Sequence, residues 1–359
     1  MKRSVLTSAF LLLVAAPLTA QWLNQPTKGI PRTADGTPNL TAPAPRTAGG
    51  KPDLSGLWNR LSPKYARNIA ADLKPGDLQP ATADALQRNI EDLGKGFMNV
   101  KCLPLGPHYI VAADTTGAEQ MKIVQTPSEI VILNPDLTHR QIFMDGRKLE
   151  DHPNPSWMGY SVGRWDGDTL VVDSNGYNDR TWLDHDGHQH SEALHITERY
   201  RRRDFGHMDI EVTLSDPKAY NRTWTVAVRA ELAPDTEMIE FVCGEKNADS
   251  LSHWVGKASD EQRDAVAVPA NVLSKYVGTY FEQPKYWRLE PRTVEITVVN
   301  GTLYGSVDGR GAVPLVAKSS TLFTGLNGLG VQFITAPDGA ANGLFVKHVS
   351  GDYRFARKN

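Results

Sequence analysis

Apolar and polar residues alternate with a period of two, in run after run from Met121 onward, and this restricts the fold more than any other feature of the chain. Ile210, Val212 and Leu214 fall on one face, and Asp209, Glu211 and Thr213 on the other. Trp224, Val226, Val228 and Ala230 alternate in the same way against Thr225, Ala227 and Arg229. Successive side chains of a strand point to opposite faces, so the pattern predicts half-buried β-strands. Shorter β-branched runs precede them: Lys122–Thr126 and Glu129–Leu133, separated by Pro127. Arg140–Met144 is followed by Asp145–Gly146, which reads as a hairpin turn, and Asp166–Gly167–Asp168 joins Tyr160–Trp165 to Thr169–Asp173. His195–Arg202 is a further strand, and Glu237–Val242 completes the meander. Consecutive antiparallel strands joined by short turns expose two edges unless they close, so the expectation is a mainly β fold, an antiparallel barrel or sandwich.

The alternation stops between Asn247 and Asn271 and restarts at Leu273. Short runs follow at Tyr276–Tyr280, Val294–Val299, Leu303–Val307, Val313–Val316, Thr321–Thr324, Val331–Ile334 and Leu344–His348, with tight turns at Asn300–Gly301 and Asp338–Gly339. Seven or eight short strands in so little chain predict a second, small closed barrel. Before Met121 the pattern is different. Pro80–Asp84 opens a helix whose Leu86, Ile90 and Leu93 are spaced for one buried face, ended by Gly94 and Gly96. Upstream, Pro31–Leu40 (PRTADGTPNL) recurs as Pro45–Leu54 (PRTAGGKPDL), too short for a solenoid and readable as an arm or a strap.

At the start, Lys2 and Arg3 precede the short apolar run Ala9–Ala16 and a small-residue site at Ala20, the pattern of a secretory signal. No run is long and apolar enough to predict a transmembrane segment. Two cysteines, Cys102 and Cys243, predict a disulfide in an oxidising compartment, periplasmic or secreted. Net charge is −2, which excludes an overall basic field for nucleic acid; the run Arg199–Arg203 reads as strand-end surface. The division expected is 1–20 signal peptide, 21–54 arm, 55–256 barrel-like domain, 257–271 linker and 272–359 small barrel.

Several motifs carry a resemblance. Pro52–Trp58 (PDLSGLW), Cys102–Pro107 (CLPLGP), Ile123–Pro127, Gly159–Val172 (GYSVGRWDGDTLVV), Gly176–Asp179 and His190–Arg199 (HSEALHITER) resemble a family of secreted bacterial proteins without an established activity, over roughly Pro52 to Gly256. Tyr276–Tyr280, Val294–Gly301 and Thr321–Phe323 resemble the lipocalin-like module that follows serine β-lactamase-type hydrolases. The resemblance implies lipocalin-like barrels. It brings no acyl-transfer chemistry, because no Ser-x-x-Lys stands beside its usual partners.

Polar residues concentrate between Asp179 and Glu198, and five of the ten histidines lie between His185 and His207. Three readings stand side by side. A metal site for zinc or iron would use His188, His190 and Glu192, which alternate on one strand face. An acid–base site at a barrel mouth would use His190 or His195, oriented by Glu192 or Asp184, with Arg199 holding an anionic group. In that reading the face Ser191, Ala193, His195, Thr197 and Arg199 lines the barrel interior. Finally, the acids and imidazoles cap turns and Glu198 pairs with an arginine. Gly159–Tyr–Ser161–Val–Gly163 fits the serine-nucleophile motif by letters only, since a hairpin follows it. Trp157, Trp165, Trp182 and Trp224 read as core. No cofactor is expected. The functional classes left open are a barrel binding a small, apolar ligand, a cofactor-free lyase, isomerase or hydrolase, and a structural or envelope-associated protein.

Overall fold

The computed structural model describes residues 26–62, 64–65, 68–92, 94–111, 120–243, 265–282, 292–307, 312–325, 330–348 and 351–358. The signal segment 1–20 and residues 257–264 of the expected linker lie outside them. The described strands form two closed barrels.

The first barrel has nine strands: β1 (Gly56–Leu61), β2 (Gln120–Gln125), β3 (Glu129–Leu133), β4 (His139–Phe143), β5 (Tyr160–Asp166), β6 (Thr169–Asn175), β7 (His195–Arg202), β8 (His207–Ser215) and β9 (Trp224–Leu232). Each pairs with its neighbour in sequence, and β1 closes on β9. All pairs are antiparallel except β4–β5, which is parallel and joined through only Ile142↔Ser161 and Phe143↔Val162. An odd number of up-and-down strands cannot close without one parallel pair, and this is that pair. Asp145–Gly146 is therefore not a hairpin turn. It begins a crossover that carries the chain back along the barrel before β5 starts.

The long alternating runs form strands as expected. β9 reads buried–exposed along its whole length, and the inward residues of β8 are Met208, Ile210, Val212 and Leu214. Glu237–Val242 forms no strand. Asp235 takes a left-handed φ of 55° and breaks the line, after which the Phe241 N–H reaches the Pro135 carbonyl. β1 arises where the sequence suggested only a helix. That helix, α1 (Pro80–Glu91), does form, but Thr82 and Ala85 face inward while Leu86 and Ile90 are half-buried; Leu93 is outside the described residues. A second, short helix, α2 (His108–Val111), lies before β2. Trp182 and Trp224 are buried, whereas Trp157 and Trp165 are half-buried.

Both ends of this barrel are covered. The two copies of the decapeptide fold into the same loop: Thr33 N–H to Thr37 O and Thr47 N–H to Lys51 O, Asn39 N–H to Pro31 O and Asp53 N–H to Pro45 O. In each, the arginine donates to a glycine carbonyl within the loop and pairs with an aspartate of the barrel, Arg32 with Asp235 and Arg46 with Asp168. These exposed pairs contribute little energy; the holding force is Leu54, buried in the core, with Leu40 packed against it. The arm is thus a strap across the end where β7 finishes. Arg202 is buried there under the strap, over the Trp58 ring, and donates to the carbonyls of Asp53 and Phe205. Only Arg199, Arg201 and Arg203 of the basic run are exposed. At the opposite end, residues 68–92, 94–111 and 176–194 form the cover, joined through Trp224 Nε1 to Ile69 O and Tyr220 OH to Gln189 O.

Cys102 and Cys243 are joined by a disulfide, with Cα atoms 5.4 Å apart. It ties the segment just before α2 to the chain beyond β9.

The second barrel has eight strands: β10 (Gly278–Glu282), β11 (Thr293–Val299), β12 (Thr302–Val307), β13 (Val313–Ala317), β14 (Leu322–Gly325), β15 (Gly330–Thr335), β16 (Ala341–His348) and β17 (Gly351–Arg357). All pairs are antiparallel and β10 closes on β17. Asn300 and Gly301, with φ of 49° and 78°, make the two-residue turn between β11 and β12. Tyr276, Phe323 and Phe333 fill the centre; the Tyr276 and Phe333 rings stack at 4.2 Å.

Candidate functional site

The polar segment before β7 holds itself together. Asp184 is fully buried. One of its oxygens accepts the backbone N–H groups of Asp186, Gly187 and His188, each at 3.1 Å. The other accepts the Ile69 N–H at 2.9 Å and His188 Nδ1 at 2.7 Å. Burial opposes the Asp184 charge, but His188 and these donors outweigh it and its pKa is lowered. Burial likewise pulls His188 down, and the Asp184 charge reverses this, so its pKa is raised. His190 is buried, and burial lowers its pKa. Its Nδ1 lies 3.0 Å from the Ser191 carbonyl and so carries the proton, leaving Nε2 to accept from the Thr181 hydroxyl at 2.6 Å.

The other sequence candidates lie elsewhere. Glu192 is exposed. Arg199 is exposed on β7 and pairs with Asp166 at 2.9 Å. His195 opens β7 on its outer face, in line with Thr197, which donates to Asp173. Among the described residues no three His, Cys, Asp or Glu side chains are arranged to hold a metal, so His188, His190 and Glu192 are not brought together.

Strand parity on β7 is the reverse of the expected one. The interior face carries Ile196, Glu198, Tyr200 and Arg202, while Thr197 and Arg199 point outward. Glu198 is fully buried and pairs with Arg140 of β4, Oε2 to Nη2 at 2.5 Å. The Tyr200 hydroxyl donates to the other carboxylate oxygen. Arg140 also donates from Nε to Ser161 Oγ at 3.0 Å and from Nη2 to Ser174 Oγ at 2.7 Å. Ser161 is therefore part of this network, on a strand, and not a nucleophile on a strand-to-helix turn. Burial works against the Arg140 charge, yet the Glu198 carboxylate wins and the guanidinium pKa is raised. Burial pushes the nearby Tyr177 phenol up to about 12, and Tyr200 well above its ordinary value.

Side chains fill most of the interior. Beside this network a cavity of about 20 Å³ remains, between Arg60, Tyr109, Met121, Asn134, Arg140 and Met158. It has room for about one water-sized group. On the other side of Arg140, at the parallel seam, a cleft of about 190 Å³ opens outward, walled by His139, Phe143, Met158, Tyr160 and Ser161. Arg140 and Met158 line both spaces. Gly159 lets β5 start here: with φ of 67°, a Cβ would stand 2.6 Å from the Tyr177 ring. Phe143 and Tyr160 face each other at 5.5 Å, and Arg147 lies over Phe143 at 3.9 Å while pairing with Asp145.

The Arg140 contacts use Nε–H and the two hydrogens on Nη2. The two on Nη1 meet no acceptor among the described residues, although Arg140 is only 3% exposed. The guanidinium thus has donors to spare on the wall between the cavity and the cleft.

No family model and no curated protein matches this chain.

Glu198 does pair with an arginine, as one reading of the sequence has it, but the identity of that arginine escapes the sequence for a physical reason. Arg140 and Glu198 are 58 positions apart and meet only because the barrel closes. The one available signal is that Glu198 sits in phase with Ile196 and Tyr200, two residues that belong inside.

Proposed function

We propose that this chain is an exported binding protein whose small ligand enters at the β4–β5 seam and docks a polar head on Arg140. One observation carries the reading: Arg140 is almost wholly buried, yet its Nη1 donors have no acceptor among the described residues, beside a cleft open to the outside. Both barrel ends are covered, so the seam is the way in. The cleft, at about 190 Å³, is below the roughly 300–1,000 Å³ of sites for drug-sized molecules, which favours a compact ligand. Phe143, Met158 and Tyr160 supply an apolar wall for its body. Export is supported by the Cys102–Cys243 disulfide, since such bonds persist in oxidising compartments. The resemblance to secreted bacterial proteins points the same way. No helix among the described residues is long and apolar enough to cross a membrane.

The test uses the methionines. With methyl-¹³C methionine in the full chain, a library of small fragments is titrated and the methyl resonances followed by NMR. Fragments that bind as proposed shift Met158 at the cleft saturably and leave Met208, buried in the core away from the cleft, unmoved. A library that shifts only methionines outside the cleft overturns the reading.

A further inference from the structure

Asn134 follows β3, and its N–H to the Thr138 carbonyl, at 2.9 Å, carries the β3–β4 ladder one step further. Arg140 stands two residues beyond Thr138, so Asn134 and Arg140 are diagonal neighbours on the inner face, and both line the cavity of about 20 Å³. Asn134 is only 3% exposed. Its Nδ2 donates to the Thr138 hydroxyl oxygen at 3.2 Å. That hydroxyl gives its only hydrogen to Asp136, at 2.6 Å, so it can only accept from Asn134. The amide orientation is thereby fixed, and Oδ1 is left buried without a partner among the described residues. A buried amide oxygen in that condition destabilises the fold until a donor reaches it.

Size and chemistry together choose that donor. The cavity has room for about one water-sized group, which rules out an organic head group. A small cation would face the guanidiniums of Arg140 and Arg60, which both line the wall. A halide would accept from Arg140 but would face the Asn134 oxygen with no hydrogen to give. Water both gives and accepts. Arg140 Nη1 has hydrogens to offer it, and Asn134 Oδ1 needs one from it. Tyr200 lines the same cavity, and its oxygen still has room to accept because its hydrogen goes to Glu198. Buried waters make about three hydrogen bonds to such groups. We infer that the cavity is a site for one ordered water, which accepts from Arg140 Nη1 and donates to Asn134 Oδ1. The water joins Asn134 to the Arg140–Glu198–Tyr200 network and leaves the second Nη1 hydrogen for the cleft. The site stands whether or not the cleft takes a ligand.

Long-lived internal waters of the full chain are counted by ¹⁷O magnetic relaxation dispersion, which does not respond to exchanging hydroxyl protons. Asn134→Leu keeps the shape of the side chain and removes Oδ1. The dispersion amplitude of this variant is expected to fall by about one water relative to the native chain. An unperturbed Met208 methyl resonance certifies the fold of the variant. An amplitude equal to that of the native chain overturns the inference. Should Asn134→Leu fail to fold, a high-resolution crystal structure of the native chain decides. A water within hydrogen-bond distance of both Arg140 Nη1 and Asn134 Oδ1 supports the site, and a cavity without that density overturns it.

Discussion

The first barrel keeps a guanidinium, a carboxylate, two serines and two phenols in its interior, whereas the second is centred on a stack of rings with Tyr276 against Phe333 at 4.2 Å. Strand number explains where this difference sits. Eight strands close with every pair antiparallel; nine force one parallel pair, and that pair, β4–β5, is joined at two register positions only. Weak pairing at the seam leaves room for a cleft, and the buried charges lie directly behind it. Buried ion pairs seldom add net stability compared with apolar side chains of similar volume. Folding stability alone does not account for this ion pair, whereas the proposed binding role does.

The sharpest way to break this comparison is to remove half of the pair. Arg140→Met strands the Glu198 carboxylate in the core and is expected to cost about 3–5 kcal/mol in urea unfolding. Adding Glu198→Leu should restore most of that loss, because the pair as a whole contributes little. A double variant as unstable as the single one would mean the network is structural, and the contrast with the second barrel would collapse.

Leu344→Ala applies the same test to the second barrel. Leu344 is fully buried among its rings, and truncation should cost about 2–5 kcal/mol. No partner substitution should rescue it, since the loss is a cavity and not an unpaired charge. Hydrogen exchange should show the loosening confined to residues of β10–β17.

The end cover of the first barrel gives a smaller effect. Asp184→Asn keeps an oxygen for the N–H groups of Asp186, Gly187 and His188, but turns an amide towards the Ile69 N–H and His188 Nδ1. The loss of these charge-assisted bonds should destabilise by about 1.5–3 kcal/mol. Binding of a cleft ligand should be unchanged in the folded fraction, because Asp184 lines neither the cavity nor the cleft.

Most of the β-architecture was legible because it is local. Alternation in Met208–Ser215 and Trp224–Leu232 survives intact in the strands, and the two cysteines do pair. The repeated decapeptide was visible as a repeat, but its role as a strap depends on Asp168 and Asp235, far away in sequence. The crowd of histidines drew attention to the end cover, where the imidazoles of His188 and His190 are absorbed by Asp184 and Thr181. Parity on β7 was misassigned because Glu198 and Arg202 look like surface residues. Only closure of the barrel, which brings Arg140 opposite Glu198, makes their burial possible. The parallel seam was illegible for the same reason: Asp145–Gly146 is a good turn signal, but the path of the chain beyond that turn is set by how nine strands close.

The smallest effect separates the barrels by pH. His190 has a lowered pKa, so the folded state binds its proton less readily than the unfolded chain. Its contribution is complete above the ordinary imidazole value of 6.5 and is lost as pH falls through the folded value. His188 is raised, so its contribution is complete below 6.5 and is lost as pH rises through its own folded value. Asp184, lowered, adds stability above 3.8 that is lost as pH falls through its folded value. In the second barrel Tyr280 is pushed up to about 12 and Tyr276 upward by burial, so their contribution is present below the ordinary phenol value of 10.0 and is lost only as pH rises beyond it. Hydrogen exchange by mass spectrometry, corrected for the intrinsic pH dependence of exchange, reads both barrels in one sample. Between pH 4 and 6.5 protection in β5–β9 should climb with pH while protection in β10–β17 stays level. His190→Gln, which keeps a hydrogen-bonding group near Thr181, should flatten that climb, and His188→Gln should instead remove the decline on the alkaline side. Equal slopes in the two barrels, or a climb that survives His190→Gln, would show that the end cover does not set the pH response of the first barrel.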